Sequence, residues 1–339
     1  MTKIMRELFF TGKFTVSALE AEIPDQLSPS QVLIENRYSM LSPGTELALF
    51  TGTHVGFADP EIGWCRYPIK AGYSSVGTVA AAGTEVPFRI GDQVVHYQPH
   101  ADYSVLDVTK DIICPIPREL DSKLALFVRF GQIAFTAVCT SLNQGAVLIL
   151  GCGLIGNLCA QLFQMQTGRQ TIAADISPAR ILLAEKCGVK HTVDSLKENL
   201  KEAVYRITGG RGVDTAIEAT GVPALVSECL EKINRHGEVI LLSSTRGKVE
   251  LDVYKLVHRK VTSIIGAHEL RYPLFSEGAS RNSHQDFSNL VLKGLCSGVL
   301  IAEPFITDII PYTRVEEAYH WLLDDQDNHI GVIIDWEGV

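Results

Sequence analysis

The segment that most constrains this chain is Gly151-Cys152-Gly153-Leu154-Ile155-Gly156. Its three glycines stand between an apolar run, residues 146–150, and a stretch of helical character, residues 157–166. A run that is apolar on both faces suits a strand buried in a parallel sheet. An acidic residue, Asp175, follows 19 positions after Gly156, at the end of the next apolar run. Strand, glycine turn, helix and a later carboxylate form the pattern of a dinucleotide-binding βαβ unit.

Each part of the turn has a physical task. Gly151 permits the tight bend, Gly153 lets backbone approach a pyrophosphate, and Gly156 lets the helix lie close to the sheet. Leu154 and Ile155 open the helix, where unpaired N–H groups and the positive end of the dipole attract phosphate. Asp175 is placed to accept hydrogen bonds from the adenosine ribose. A 2′-phosphate there would meet like charge, costing about 4 kcal/mol at ~4 Å and an effective dielectric of ~20. Arg180 is the group a 2′-phosphate would use; beside Asp175 it reads as a ribose or adenine neighbour, so NAD(H) is favoured over NADP(H). Thr220, Ser243 and His268, just past later strand candidates, complete the expected cofactor contacts.

The rest of the chain changes rhythm around this motif. Before it, short β-branched runs at 31–35, 75–82, 93–97 and 103–108 alternate with turn signals such as Ser42-Pro43-Gly44, as in an irregular, mostly-β domain. From about Gly145, apolar runs at 146–150, 171–174, 215–219, 239–242 and 261–265 alternate with helical patterns. Ser177-Pro178 opens one helix and Gly188 closes it; Pro223 opens another and Gly237 is expected to end it. Strand–helix alternation of this kind predicts an α/β fold with a doubly wound parallel sheet. The tail holds an amphipathic helix at 315–323 and a last strand at 331–335.

Bulk properties remove several classes. A net charge of −9 over 339 residues disfavours nucleic acid as a partner. No run of about 18 uncharged apolar residues is present, and the N-terminus lacks the apolar core of a signal peptide. Eight cysteines form no Cys-x-x-Cys pair, so reduced thiols and a cytoplasmic protein are expected, without a disulfide frame or structural zinc.

The glycine turn, the Glu218-Ala219-Thr220-Gly221 segment and the β-rich first third together resemble the medium-chain dehydrogenase/reductases, a family that includes zinc alcohol dehydrogenases and zinc-free quinone reductases. The resemblance implies a GroES-like catalytic domain in two parts, residues 1–130 and 269–339, around a Rossmann domain at 131–268. It also implies a homodimer. Where zinc members carry Cys-Gly-Ser/Thr-Asp, this chain reads Pro43-Gly44-Thr45-Glu46; their Gly-His-Glu corresponds to Gly72-Tyr73-Ser74, and the third ligand position falls near Arg129. Neither proline nor arginine supplies a zinc donor, so no metal is expected. The Ser-Pro-Gly-Thr-Glu and Gly-Tyr-Ser-Ser-Val-Gly segments resemble a zinc-free branch similar to bacteriochlorophyllide hydroxyethyl dehydrogenase and bacterial sugar or glycoside dehydrogenases.

Without a metal, another group must manage the proton on the substrate oxygen. Tyr73, at a former ligand position, is the candidate acid. Thr45 aligns with the hydroxyl relay of zinc members, and His268 stands past the last parallel strand, near the expected nicotinamide. Arg129 is read as a substrate contact or a partner of Glu46. His54, His96 and His100 are close enough in sequence to suggest a rebuilt metal site, yet His100 is expected at the surface. Loop 53–67 and segment 270–284 are expected to shape the pocket. The leading function is NAD(H)-dependent interconversion of a secondary alcohol, of a sugar, polyol or larger ring, with its ketone. The alternatives are a zinc-free NADPH-dependent enone or quinone reductase, and a non-catalytic dinucleotide sensor.

Overall fold

The computed structural model describes residues 3–277 and 282–337. In chain order its main elements begin with β1 (Ile4–Gly12), β2 (Thr15–Glu22), β3 (Gln31–Met40), α1 (Thr45–Phe50), β4 (Ile69–Lys70), β5 (Ser75–Ala82), β6 (Gln93–His96), β7 (Tyr103–Asp107), β8 (Ile113–Pro115), α2 (Ser122–Ala125) and α3 (Phe127–Thr140). There follow β9 (Val147–Leu150), α4 (Leu154–Thr167), β10 (Thr171–Asp175), α5 (Pro178–Lys186), β11 (His191–Asp194), α6 (Leu200–Ile207), β12 (Val213–Glu218), α7 (Ala224–Lys232), β13 (Ile233–Leu241) and β14 (Ser263–Gly266). The chain closes with α8 (His284–Cys296), β15 (Ile306–Pro311), α9 (Val315–Asp324) and β16 (Gly331–Asp335).

These elements form two compact units. The described residues of the first fall within Met1–Arg129, Leu274–Cys296 and Ile306–Val339; those of the second lie within Phe130–Pro273 and Ser297–Phe305. The boundary after Arg129 lies one residue from the expected one. Elsewhere the division differs from the expected 268/269. Residues 269–273 stay with the second unit, where the Tyr272 and Thr140 hydroxyls meet at 3.3 Å. Residues 297–305 return to it because Gln161 of α4 holds Ile301 by both backbone groups, at 3.0 Å to its carbonyl and 2.8 Å from its N–H.

The second unit is a six-stranded sheet in the order β11-β10-β9-β12-β13-β14, parallel throughout. Its central strands β9 and β10 are buried along their length, which is why they read as unbroken apolar runs. The order reverses between β9 and β12, creating a topological switch point at the carboxyl end of β9. Gly237 does not end a helix. The helix stops at Lys232, and Gly237 lies inside β13, where the register shifts and His236 takes a φ of 63°. A Cβ on Gly237 would meet the Asp214 and Asn234 carbonyls at 2.8 and 2.9 Å, so the glycine serves a bulge.

The first unit carries a three-stranded sheet, β2-β1-β4, and a seven-stranded one, β15-β16-β3-β5-β6-β8, with β7 pairing β3. Its core is aromatic: the Tyr319 ring lies 5.2 Å from Phe10 and 5.1 Å from Phe50, all fully buried. The continuous helical stretch Ser122–Thr140 is long and apolar enough to cross a membrane, with a mean hydropathy of 1.3, and 72 % of it is buried inside the protein. Burial accounts for its composition.

Phe50 joins α1 to α9, and its deletion leaves a cavity bounded by two other rings. Phe50→Ala is expected to cost about 3–5 kcal/mol, read as a lower midpoint in urea denaturation with the slope unchanged.

Candidate functional site

The glycine turn behaves as two structural glycines and one that the protein itself does not require. Gly151 follows β9 with a φ of 101°, a conformation that disfavours any side chain. A Cβ on Gly156 would stand 1.9 Å from the Gly151 carbonyl oxygen, so α4 can approach the sheet only with glycine there. Gly153 has an ordinary φ of −64°, and a Cβ there would meet nothing within 4 Å. Space kept clear by Gly153 is therefore unused by the fold. The first turn of α4, from Leu154 and Ile155 to Gly156, carries no acidic residue. A phosphate fits that donor set.

Asp175, at the end of β10, is buried. Its Oδ2 accepts from the Cys152 N–H at 2.7 Å and its Oδ1 from the Ser177 N–H at 2.9 Å. These bonds fix a negative charge against the glycine turn. Ser177 caps α5 by accepting from the Arg180 N–H at 3.3 Å, which leaves the Arg180 side chain half-buried on the first turn. Burial first, then the Asp175 charge, pushes the Cys152 thiol up; it is no nucleophile.

Thr220 and Ser243 lie past β12 and β13, as expected from the sequence, and both hydroxyls donate to buried Glu218: Thr220 at 2.5 Å to Oε1, Ser243 to Oε2. His268 is exposed and opens a single helical turn, its Nδ1 accepting from the Leu270 N–H at 3.2 Å.

In the first unit, two of the three positions that the resemblance aligns with zinc ligands meet. The Arg129 guanidinium lies over the Tyr73 ring at 5.3 Å and over the Tyr97 ring at 4.8 Å. Tyr73 donates its hydroxyl to Ser42 Oγ at 2.5 Å, and Ser42 directly precedes Pro43. Tyr97 is held by Ser288 of α8 at 2.6 Å. Thr45 is half-buried as the first residue of α1.

Two readings from sequence are corrected here. Glu46 does not pair with Arg129: its Oε2 takes the Tyr319 hydroxyl and faces His100 Nε2 at 3.2 Å, and its Oε1 accepts the Ser42 N–H at 3.2 Å. His100 is not at the surface but fully buried, because the backbone of Gly72 lies on its ring; a Cβ on Gly72 would stand 2.4 Å from it. Burial and the Glu46 charge raise the Tyr319 phenol well above its usual range, so it remains a donor to the carboxylate. The cluster fixes Ser42, and through it the acceptor of the Tyr73 hydroxyl.

The three histidines do not converge. His54 Nδ1 accepts the Gly56 N–H at 3.1 Å, His96 Nε2 meets Asn36 Oδ1 at 2.8 Å, and His100 faces Glu46. Within loop 53–67, His54 also lies 5.3 Å from the Trp64 ring and 3.5 Å from Cys65 Sγ. Part of segment 270–284, residues 278–281, lies outside the described residues. Tyr97 and Tyr319 were not singled out from sequence; Ser42 and Glu218 carried a signal only as members of the Ser-Pro-Gly-Thr-Glu and Glu218-Ala219-Thr220-Gly221 segments.

A sequence model of zinc-binding dehydrogenases matches residues 153–282. L-threonine 3-dehydrogenase of Mesorhizobium japonicum is 25 % identical over 71 % of this chain and 78 % of its own. The enzyme of that name from Rhizobium rhizogenes is 31 % identical over 43 % of each chain, so this chain spans less than half of that relative. An Escherichia coli oxidoreductase/dehydrogenase of unknown specificity shares the fold, with a TM-score of 0.82 and 18 % identity across 98 % of this chain and 99 % of its own. The glycine turn and the sheet order are those of a dinucleotide-binding α/β unit, and the relatives are dehydrogenases. In sequence the chain is similar to these zinc-binding and threonine dehydrogenases. The matched stretch 153–282 contains none of Pro43, Tyr73 and Arg129.

The glycines separate folding from binding. Gly156→Ala is expected to destabilise the protein by about 1–3 kcal/mol, whereas Gly153→Ala keeps the wild-type melting temperature and loses NADH binding, read by nucleotide fluorescence. Equal melting losses in both variants would refute this division.

His96 gives a pH signature. Burial pushes its imidazole from 6.5 down to about 3. Between these values the unfolded chain binds the proton and the folded one refuses it, so stability falls as pH drops from 6.5 toward 3 and is unaffected above 6.5. His96→Gln is expected to flatten that fall, measured by urea unfolding at pH 7 and pH 4.5.

Proposed function

We propose that the protein is a zinc-independent, NAD(H)-dependent oxidoreductase that interconverts a secondary alcohol and a ketone, in the manner of the family's zinc-free branch. The observation that carries this reading is the guanidinium of Arg129 stacked on Tyr73, two former ligand positions converted to a fixed cation and a phenol. Pro43, Tyr73 and Arg129 do not make a thiolate, imidazole or carboxylate set, so the residues do not fit a family-type zinc ion. Relatives named L-threonine 3-dehydrogenase support a secondary carbinol as the reacting centre.

The dinucleotide, when bound, supplies or accepts the hydride. In ketone reduction the Tyr73 hydroxyl turns its proton from Ser42 to the substrate oxygen, and the adjacent guanidinium favours the negative charge that develops. Ser42 holds the phenol in one orientation until substrate competes for it. Support for NAD(H) over NADP(H) comes from Asp175, whose buried carboxylate is anchored by two backbone donors and cannot turn away from a 2′-phosphate. A homodimer belongs to the same proposal: β14 ends the parallel sheet, with Ile264 40 % and Val261 54 % exposed beside it. Free thiols, six of them buried, support a cytoplasmic site of action.

Purified protein is expected to carry substoichiometric zinc by mass spectrometry and to reduce ketones with NADH in the presence of chelator. Tyr73→Phe is expected to lower kcat about a hundredfold with NADH affinity retained. Stoichiometric zinc would overturn the metal-free mechanism, and strong preference for NADPH would favour an enone or quinone reductase.

A further inference from the structure

The best-satisfied carboxylate in the nucleotide unit is one that no step above uses. Glu218 is the last residue of β12, fully buried, and reaches five donors. Its Oε1 accepts from the Thr220 N–H at 2.7 Å, the Thr220 hydroxyl at 2.5 Å and the Gly221 N–H at 3.0 Å. Its Oε2 accepts from the Ser243 hydroxyl and from the Thr245 hydroxyl at 2.9 Å. One side chain therefore ties together the loops that leave β12 and β13. Both loops stand at the carboxyl ends of the strands beside the switch point, where an open α/β sheet binds its ligand. The first also touches the glycine turn, since a Cβ on Gly151 would meet Thr220 Cγ2 at 2.8 Å.

We propose that Glu218 is a positioning residue for the dinucleotide, its five hydrogen bonds setting the two loops that border the glycine turn before cofactor arrives. This rests on the reading of that turn as the dinucleotide site. The chemistry favours a carboxylate over an amide. The Thr220 and Gly221 N–H groups can only donate, so Oε1 must be an acceptor. Two hydroxyls then crowd Oε2, and an amide nitrogen there would force both to reverse their protons. A carboxylate accepts from all five at once, and bonds to a charged acceptor are the stronger kind. The loops are thereby ordered in the free protein, and the cofactor meets a formed surface instead of ordering it on binding.

The same sheet contains the control. Glu238, inside β13 and level with Thr215 near the start of β12, is also buried and collects the Ser141 and Thr215 hydroxyls and the Leu142 and Asn143 N–H groups. It holds the amino-end side of the sheet and no loop near the glycine turn.

Glu218→Gln is expected to raise the Kd for NADH about tenfold, and to raise KM for NADH by more than it lowers kcat. Glu238→Gln lowers the melting temperature at least as much and leaves NADH affinity unchanged. Thr245→Val, which removes one Oε2 donor and keeps the carboxylate, raises the Kd about threefold and keeps the test usable if Glu218→Gln does not fold. Titration of each variant by NADH fluorescence, beside a thermal melt, reads all of these. Wild-type binding in the Glu218→Gln and Thr245→Val proteins, or equal loss of affinity in Glu238→Gln, overturns the inference while the dinucleotide site stands. If the wild-type protein binds neither NADH nor NADPH, the reading of the site itself fails and takes this inference with it.

Discussion

The nucleotide unit depends on how closely α4 approaches the end of β9. With 1.9 Å between a notional Gly156 Cβ and the Gly151 carbonyl oxygen, no residue but glycine lets the helix start where it does. That approach aims the first N–H groups of α4 into the space kept clear at Gly153, at the point where the strand order reverses. Were α4 held farther out, those donors would no longer face the switch point. Asp175, bonded to the Cys152 N–H, would lose its place with them.

Around that turn the protein uses buried carboxylates as anchors. A charge taken out of water is tolerated only when its lone pairs are filled. Asp175 meets this condition with backbone donors, and Glu218 and Glu238 meet it with backbone and hydroxyl donors. Glu46 does the same in the first unit with Ser42, His100 and Tyr319. Such anchors fix loops more firmly than apolar contacts, because each bond has a direction and losing one strands a buried charge. Asp175, Glu218 and Glu46 stand at element ends, beside the residues proposed to meet cofactor and substrate, whereas Glu238 holds the other side of the sheet.

The sequence showed what is local. The glycine turn, the buried parallel strands, the Ser177-Pro178 cap and Asp175 all depend on spacings within a few tens of residues, and the structure has them in place. What escaped depends on partners distant along the chain. Glu46 and Tyr319 are 273 residues apart, and nothing in either neighbourhood announces their bond. His100 read as a loop histidine because its burial comes from Gly72, a glycine explained equally well as a turn. Gly237 misled for a related reason: a glycine after a helical pattern resembles a cap, and only the register of β13 against β12 reveals a bulge. The short β11 and helix α3 went unrecognised because strand and helix signals there are brief or uniformly apolar.

On the proposed reading, an arginine in the place of a metal changes more than the identity of a charge. A zinc ion binds an alcohol oxygen directly and makes the alkoxide accessible near neutral pH. A guanidinium offers only N–H donors around a plane, and in this protein its face is taken by two tyrosine rings. It can steady a developing oxyanion but cannot bind one as a Lewis acid does, so the proton must be handled by a separate group. The neighbouring phenol, already a donor to Ser42, has a proton to give to the substrate oxygen. On the proposed reading the pair suits ketone reduction, the guanidinium steadying the developing oxyanion while the phenol supplies its proton.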